Sequence, residues 1–469
     1  MTATKPSIIR NASLLDGRRV DVRVEGGRIA GVDMAGAADK DAPGVDVQGG
    51  LLLPGLHDHH VHVAATAAAF ASVRCGPPEI TDGAALARAL AEAPGKGWLR
   101  GVGYHESVAG MIDRHWLDRA VSHRPLRVQH RSGRMWIFNS AGLEVLLATD
   151  PAPPDALDPA SGQLFDADGW LRAALGGGPP DLADMGGRWA RWGVTGLTDM
   201  NPQNGAAEAV YMAAQHAAGA LPQGVLLAGL PALATVSMGP GLTLGPVKVH
   251  LHEAHLPDHD ALIATIRAAH GQGRGTAVHC VTETELVFTL AAFAEAGTIA
   301  GDRIEHASVA PDVLVAQIAA LDLPVVAQPN FVAERGDAYL ADIPAEEWPH
   351  LYRLDAFREA GVVLVGGTDT PFGSGDPWAA MAAAVRRRTA SGRIFGAEEA
   401  LTPEDALTLF LADPVDLGRT RQIVSGAPAD LCLLEQNWTA LRADLSAARV
   451  RATWIGGILV HDRIYQVPV

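Results

Sequence analysis

The stretch Leu51-Leu-Leu-Pro-Gly-Leu-His-Asp-His-His-Val-His62 limits what this chain can fold into more than any other. An apolar run with the character of a buried strand ends in a cluster of metal-competent side chains. Side chains alternate faces along an extended strand, so Asp58, His60 and His62 share one face while His57, His59 and Val61 take the other. Two imidazoles two residues apart on one face can hold a single cation of the zinc type. A histidine-rich polar loop would show the same letters, but the leucines and Pro54-Gly55 ahead of the pair place it at a strand end.

Partners follow in order. Lys248 sits inside the apolar segment Gly245-Pro-Val-Lys-Val-His-Leu251, where an ammonium is costly unless neutralised or paired. The other three lysines, Lys5, Lys40 and Lys96, stand in polar or Gly-rich sequence expected to be exposed. His279 lies near the end of Thr276-Ala-Val-His-Cys-Val281, and His306 near the end of Arg303-Ile-Glu-His-Ala307. Asp369 follows the apolar run Val362-Val-Leu-Val through a Gly-Gly turn. Any one of these is as readily structural. All six in this order, each after a candidate strand, are hard to obtain by chance.

With these residues the chain resembles the metal-dependent amidohydrolase superfamily over almost its whole length. The resemblance implies that His60, His62, Lys248, His279, His306 and Asp369 hold one or two divalent ions, zinc being the first expectation. It also implies a Lys248 carboxylated by carbon dioxide, which would resolve the burial problem. Asp369 would then be the proton acceptor and donor, with His306 the next catalytic candidate. Trp192-Gly-Val-Thr-Gly-Leu-Thr-Asp199, Arg303-Ile-Glu-His306 and Asn139-Ser-Ala-Gly-Leu143 resemble the YtcJ-like branch that includes N-substituted formamide deformylase. One departure is Arg134 after Gly133, where that branch usually has a histidine.

Between residues 53 and 423 the pattern alternates strand and helix, the mark of a parallel α/β architecture. Candidate strands at 51–57, 194–200, 223–230, 246–251, 276–281, 303–307, 324–328 and 362–368 number eight, which closes a (β/α)8 TIM barrel with its active site at the C-terminal strand ends. Asp258 is expected to cap a helix that stops at Gly271, and Thr282 with Glu285 to form a capping box for one that stops at Gly297. Residues 1–52 and 424–469 are β-rich and turn-punctuated, and the resemblance implies that they join in one small β-sandwich. The barrel would comprise 53–62 and 186–423. Residues 63–185 are too long for a βα loop and read as an inserted subdomain that covers the substrate, with strands at 99–104 and 125–130 and loops at Asp150–Pro154 and Gly176–Pro180. Tyr104, His130, Arg134 and Trp136 from this insertion, and Gln328 at the end of the seventh strand, are the candidate substrate contacts.

The bulk properties exclude other classes. A net charge of −16 speaks against nucleic acid or an anionic membrane as partner. No apolar run approaches the ~20 residues that span a bilayer, and the sequence begins without a secretory apolar core. Three cysteines, Cys75, Cys280 and Cys432, show no motif spacing, so a cytoplasmic location is expected. The expected partner is a small-molecule amide, and a homodimer is open to the chain. Hydrolysis of a C–N bond in an amide or N-substituted formamide is the leading function. A ring deaminase is the alternative, but Glu283 lies four residues after His279 where such enzymes place the acid at three, and Lys248 would have no role. A non-catalytic scaffold is the third reading, weakened by the survival of all six ligand positions.

Overall fold

The computed structural model describes residues 7–463 apart from positions 40, 78, 150, 151 and 177. The surroundings of Lys5 and Lys40, and positions 150, 151 and 177 of the two expected loops, lie outside the described residues. The chain forms two compact units, one of Met1–Val63 with Asp181–Val469, the other Ala64–Pro180.

In the larger unit eight parallel strands pair in chain order: Leu56–Val61, Val194–Asp199, Gly224–Gly229, Leu242–His250, Thr276–Cys280, Arg303–His306, Val325–Ala327 and Leu364–Gly366. Just past the eighth strand, Asp369 N donates to His60 O at 2.8 Å and His62 N to Thr370 O at 2.9 Å, which brings the last strand back to the first. The result is the expected (β/α)8 barrel. Strands one, two and six are buried at every position, as a sheet covered on both faces requires. Local signals set the helix ends. Asp258 accepts from Asp260 N and Ala261 N at the start of His259–Gly271. Thr282 and Glu285 cap Glu283–Ala296 reciprocally, and Gly297 ends it with φ 80°.

The expected first strand, 51–57, is in fact two. Leu51–Pro54 pairs antiparallel with Leu431–Leu434 in a separate sheet, and the barrel strand begins only at Leu56. Gly55 is the break. A Cβ there would lie 2.1 Å from Thr195 Cγ2, so only glycine lets strand one settle against strand two. The sheet it leaves combines Ser7–Ser13, Arg19–Glu25, Arg28–Met34, Gly44–Asp46, Leu51–Pro54, Leu431–Leu434, Val450–Ile455 and Ile458–Asp462. The β-sandwich is thus built from both ends of the sequence. Its core is Val22, Val47, Leu52, Leu433 and Ala452, all essentially inaccessible.

The smaller unit has a six-stranded sheet in which Leu99–Tyr104 and Leu126–His130 are parallel neighbours. One face packs Cys75, Leu86, Leu117 and Ile137, the other Trp136, Phe138, Leu146 and Leu164.

Candidate metal centre

Strand one presents His60 and His62 from one face, as alternation requires, and strand eight's exit presents Asp369. Their donor atoms all lie within 4.8 Å of one another, with His60 Nε2 3.5 Å and His62 Nε2 3.3 Å from Asp369 Oδ1. Asp369 adopts φ 53°, a left-handed backbone that a carboxylate-bearing residue tolerates better than most, and this turns its side chain back toward strand one. Burial alone would raise its carboxyl. The neighbouring His60, His62 and Lys248 outweigh that and hold it below the usual carboxylate range.

Glu305 and His306 are consecutive, and a regular strand would send them to opposite faces. His306 instead has φ 75°, and both meet His60. The His306 ring centroid is 4.7 Å from that of His60, while Glu305 Oε2 lies 2.5 Å from His60 Nδ1. The His279 ring lies 4.5 Å from His306. Burial drives His60, His279 and His306 well below ordinary imidazole basicity, so each is neutral and offers a lone pair. Lys248 is 6% exposed, and its Nζ has no hydrogen-bond partner among the described residues. Burial pushes it down to about 8 against the opposing pull of Glu305. An orphaned buried amine beside three neutral imidazoles and a carboxylate is a donor set that suits a divalent ion and a carbamate.

Sequence reasoning missed the groups behind these donors. Glu305 also takes Arg303 Nε at 2.6 Å, and Arg303 reaches His59 O at 3.1 Å, so a buried arginine and carboxylate fix the His60 ring. Alternation groups Asp58 with His60 and His62, but its oxygens accept from Thr368 N at 2.9 Å and Thr368 Oγ1 at 2.6 Å, tying strand one to the residue before Asp369. His250, two positions after Lys248, lies 4.4 Å ring to ring from His279. Its position in the quoted segment was the only signal.

The candidate substrate contacts divide. Gln328 is buried, and its Oε1 lies 2.7 Å from His306 Nδ1, so it orients that ring. Tyr104 is wholly inaccessible in the core of the smaller unit, its hydroxyl bonded to Gly110 O, which corrects the expectation of a recognition role. Trp136 is likewise a core residue, its indole donating to Asp168 Oδ1 at 2.9 Å. Both were misread because aromatic residues on an amphipathic strand look alike whichever face is covered. His130 bonds Glu106 at 2.9 Å and Ser132 Oγ at 2.8 Å. Arg134 is exposed and forks onto Asp166, Nε at 2.8 Å.

Comparison with known proteins agrees with this arrangement. Residues 44–461 match the family described as "Amidohydrolase family". The N-substituted formamide deformylase of Arthrobacter pascens is 25% identical over 99% of both chains, and YtcJ of Bacillus subtilis (strain 168) is 21% identical over 89% of this chain and 90% of its own. Among solved structures, an uncharacterized metal-dependent hydrolase from Pyrococcus horikoshii OT3 superposes with a TM-score of 0.76 at 19% identity, covering 92% of this chain and 98% of that one. Its counterpart from Pyrococcus furiosus gives 0.74 at 19% identity, covering 92% and 99%. A family match that runs from the terminal sheet through every barrel strand leaves one conclusion: this chain belongs to the amidohydrolase family.

Proposed function

We propose that this hydrolase cleaves a C–N bond in an amide or N-substituted formamide with the aid of one or two divalent ions, zinc first among them. The observation that carries the reading is the convergence of His60, His62 and Asp369 donor atoms within 4.8 Å. Those three, with Lys248, His279 and His306, would hold the metal. Bound there, a divalent ion would polarise the scissile carbonyl and make the attacking water more acidic. Asp369 takes the water's proton and hands it to the nitrogen, which departs readily only as a neutral amine. Glu305 and Gln328 fix the rings of His60 and His306 from behind, and Asp58 fixes the backbone that carries Asp369. With its pKa lowered to about 8, Lys248 is far more often a neutral amine at mild pH than an exposed lysine, and the neutral amine is the form that adds carbon dioxide.

The relative at 25% identity is named for deformylation of N-substituted formamides, which supports this substrate class. A ring deaminase finds less support. Glu283 is exposed in the first turn of its helix, and Glu285 is occupied as the cap. The test is a screen for amine release by metal-loaded protein over formamides, other amides, lactams and amino-heterocycles, with metal content measured in parallel. Release from amino-heterocycles alone would replace this reading with the deaminase. Full metal content with no turnover of any C–N substrate would discard both.

A further inference from the structure

Arg100 and Arg127 are register partners on the neighbouring parallel strands Leu99–Tyr104 and Leu126–His130 of the smaller unit. Like charges directly across a strand pair are destabilising unless something offsets them. Both side chains are half-buried. Their Nε atoms are buried without a hydrogen-bond partner, and neither arginine makes an ion pair among the described residues. The polar contact found is from Arg100 Nη2 to Gln129 Oε1 at 3.3 Å. Asp168 lies close enough for both to feel its charge, but its Oδ1 is taken by the Trp136 indole. Burial, and then the charge of Arg100, push Arg127 down to about 10.

Two half-buried guanidiniums with no carboxylate at ion-pair distance among the described residues are unexpected in a chain with 53 acidic residues against 37 basic ones. Acids were available to pair them. What holds them instead is aromatic: Arg100 Cζ is 5.4 Å and Arg127 Cζ 5.2 Å from the Trp136 ring centroid, and Arg127 Cζ is 5.8 Å from that of Trp98. Trp136 is 5% exposed and anchored by its own hydrogen bond, so it is a rigid floor for both planar groups. Cation–π packing fixes orientation without consuming the N–H edges. The two guanidiniums are therefore held in register with their Nε donors unsatisfied, and Arg100 Nη2 to Gln129 is the hydrogen bond found on either of them.

We infer that this face of the inserted unit binds the carboxylate of a small ligand, held between the guanidinium edges of Arg100 and Arg127. A planar carboxylate can accept from both forks and neutralise the repulsion between them. The inference is independent of the metal centre and of the reaction proposed there.

The test is equilibrium dialysis of benzoate against chelator-treated full-length protein, so that a metal cannot capture the acid. The inference expects one saturable site, no binding of the neutral isostere benzamide, and at least about tenfold weaker binding in R100Q and in R127Q, with R134Q as the unaffected control. Melting temperature is read alongside. Without ligand R127M should melt no lower than wild type, because a repulsion is removed, and benzoate should raise the melting temperature of wild type and R134Q but not of R100Q, R127Q or R127M. If the neutral variants fail to fold, R127K keeps the charge and packing but not the fork, and it too should bind benzoate at least about tenfold more weakly. No saturable binding, equal binding of benzamide, undiminished binding in R127K, or stronger binding of inorganic phosphate than of benzoate would each overturn the assignment.

Discussion

Glu305 Oε2 and His60 Nδ1 meet at 2.5 Å across the barrel, 245 residues apart in sequence and both excluded from solvent. This contact fixes the tautomer of His60, leaving Nε2 toward His62 and Asp369. A carboxylate behind a metal-binding imidazole raises its basicity, and losing one typically costs about 10–100-fold in metal affinity. E305Q should keep the ring's orientation and lose part of that affinity, while E305L should lose more. Metal retained after dialysis against a graded chelator reads this directly. Equal retention in wild type and E305L would mean that His60 is not a ligand.

Lys248 gives opposite expectations with and without metal. In metal-free protein its ammonium is buried without a partner, so K248M should be at least as stable as wild type in a denaturant titration. In metal-loaded protein the same variant should lose bound metal and nearly all turnover, and K248A should be partly rescued by short carboxylic acids. The sign with pH is set by a pKa of about 8: the amine is mostly cationic below it and neutral above. Carbon dioxide adds to the neutral form, so at a fixed concentration of dissolved carbon dioxide reconstitution should be faster at about pH 9 than at about pH 7. Reconstitution indifferent to bicarbonate would remove the carbamate.

Asp369 is the sharpest single residue. D369N should retain the fold and much of the metal yet lose about 10²–10⁴ in kcat, roughly 3–5 kcal/mol of barrier. Its carboxyl is held below the usual range, so the wild-type acid limb should fall at low pH as this group is protonated. In D369N that limb should vanish or move. A wild-type rate with the limb unchanged would shift the base to His306.

The three thiols should be inert. Cys75, Cys280 and Cys432 are fully buried, and burial pushes the first two up to about 12 and the third higher still. At pH 8 only about one Cys75 or Cys280 in 10⁴ is thiolate. A disulfide reagent should therefore modify native protein negligibly and all three thiols after denaturation. Rapid labelling of the native chain would show that one of these environments opens.

The sequence made the barrel legible because its signals are local. An apolar run bounded by turn residues or ending in a ligand-type residue marks a strand, and seven of the eight strands fall where such runs lie. The first was misjudged at its start, since Leu51–Pro54 is as apolar as a barrel strand and only the close approach of Thr195 to Gly55 shows where one sheet yields to another. Glu305 and Asp58 were hidden for a different reason. Their roles depend on partners more than 240 residues away and, for Glu305, on the positive φ at His306 that breaks alternation. Tyr104 and Trp136 could not be sorted, because which face of a strand is covered is decided by helices elsewhere in the chain.

The seam at Gly55 also orders events during synthesis. Leu56–Val61 is the first barrel strand to leave the ribosome, but its last neighbour comes with Leu364–Gly366, and its lead-in, paired early with Ser7–Ser13, gains its other neighbour Leu431–Leu434 later still. Until those distant segments emerge, His57 to His62 hang from a half-made edge, sticky and open to stray cations. The barrel strand that would supply the first two metal ligands is thus made before the other seven and is among the last enclosed, so any selection among ions by a finished site would have to wait for the last strands.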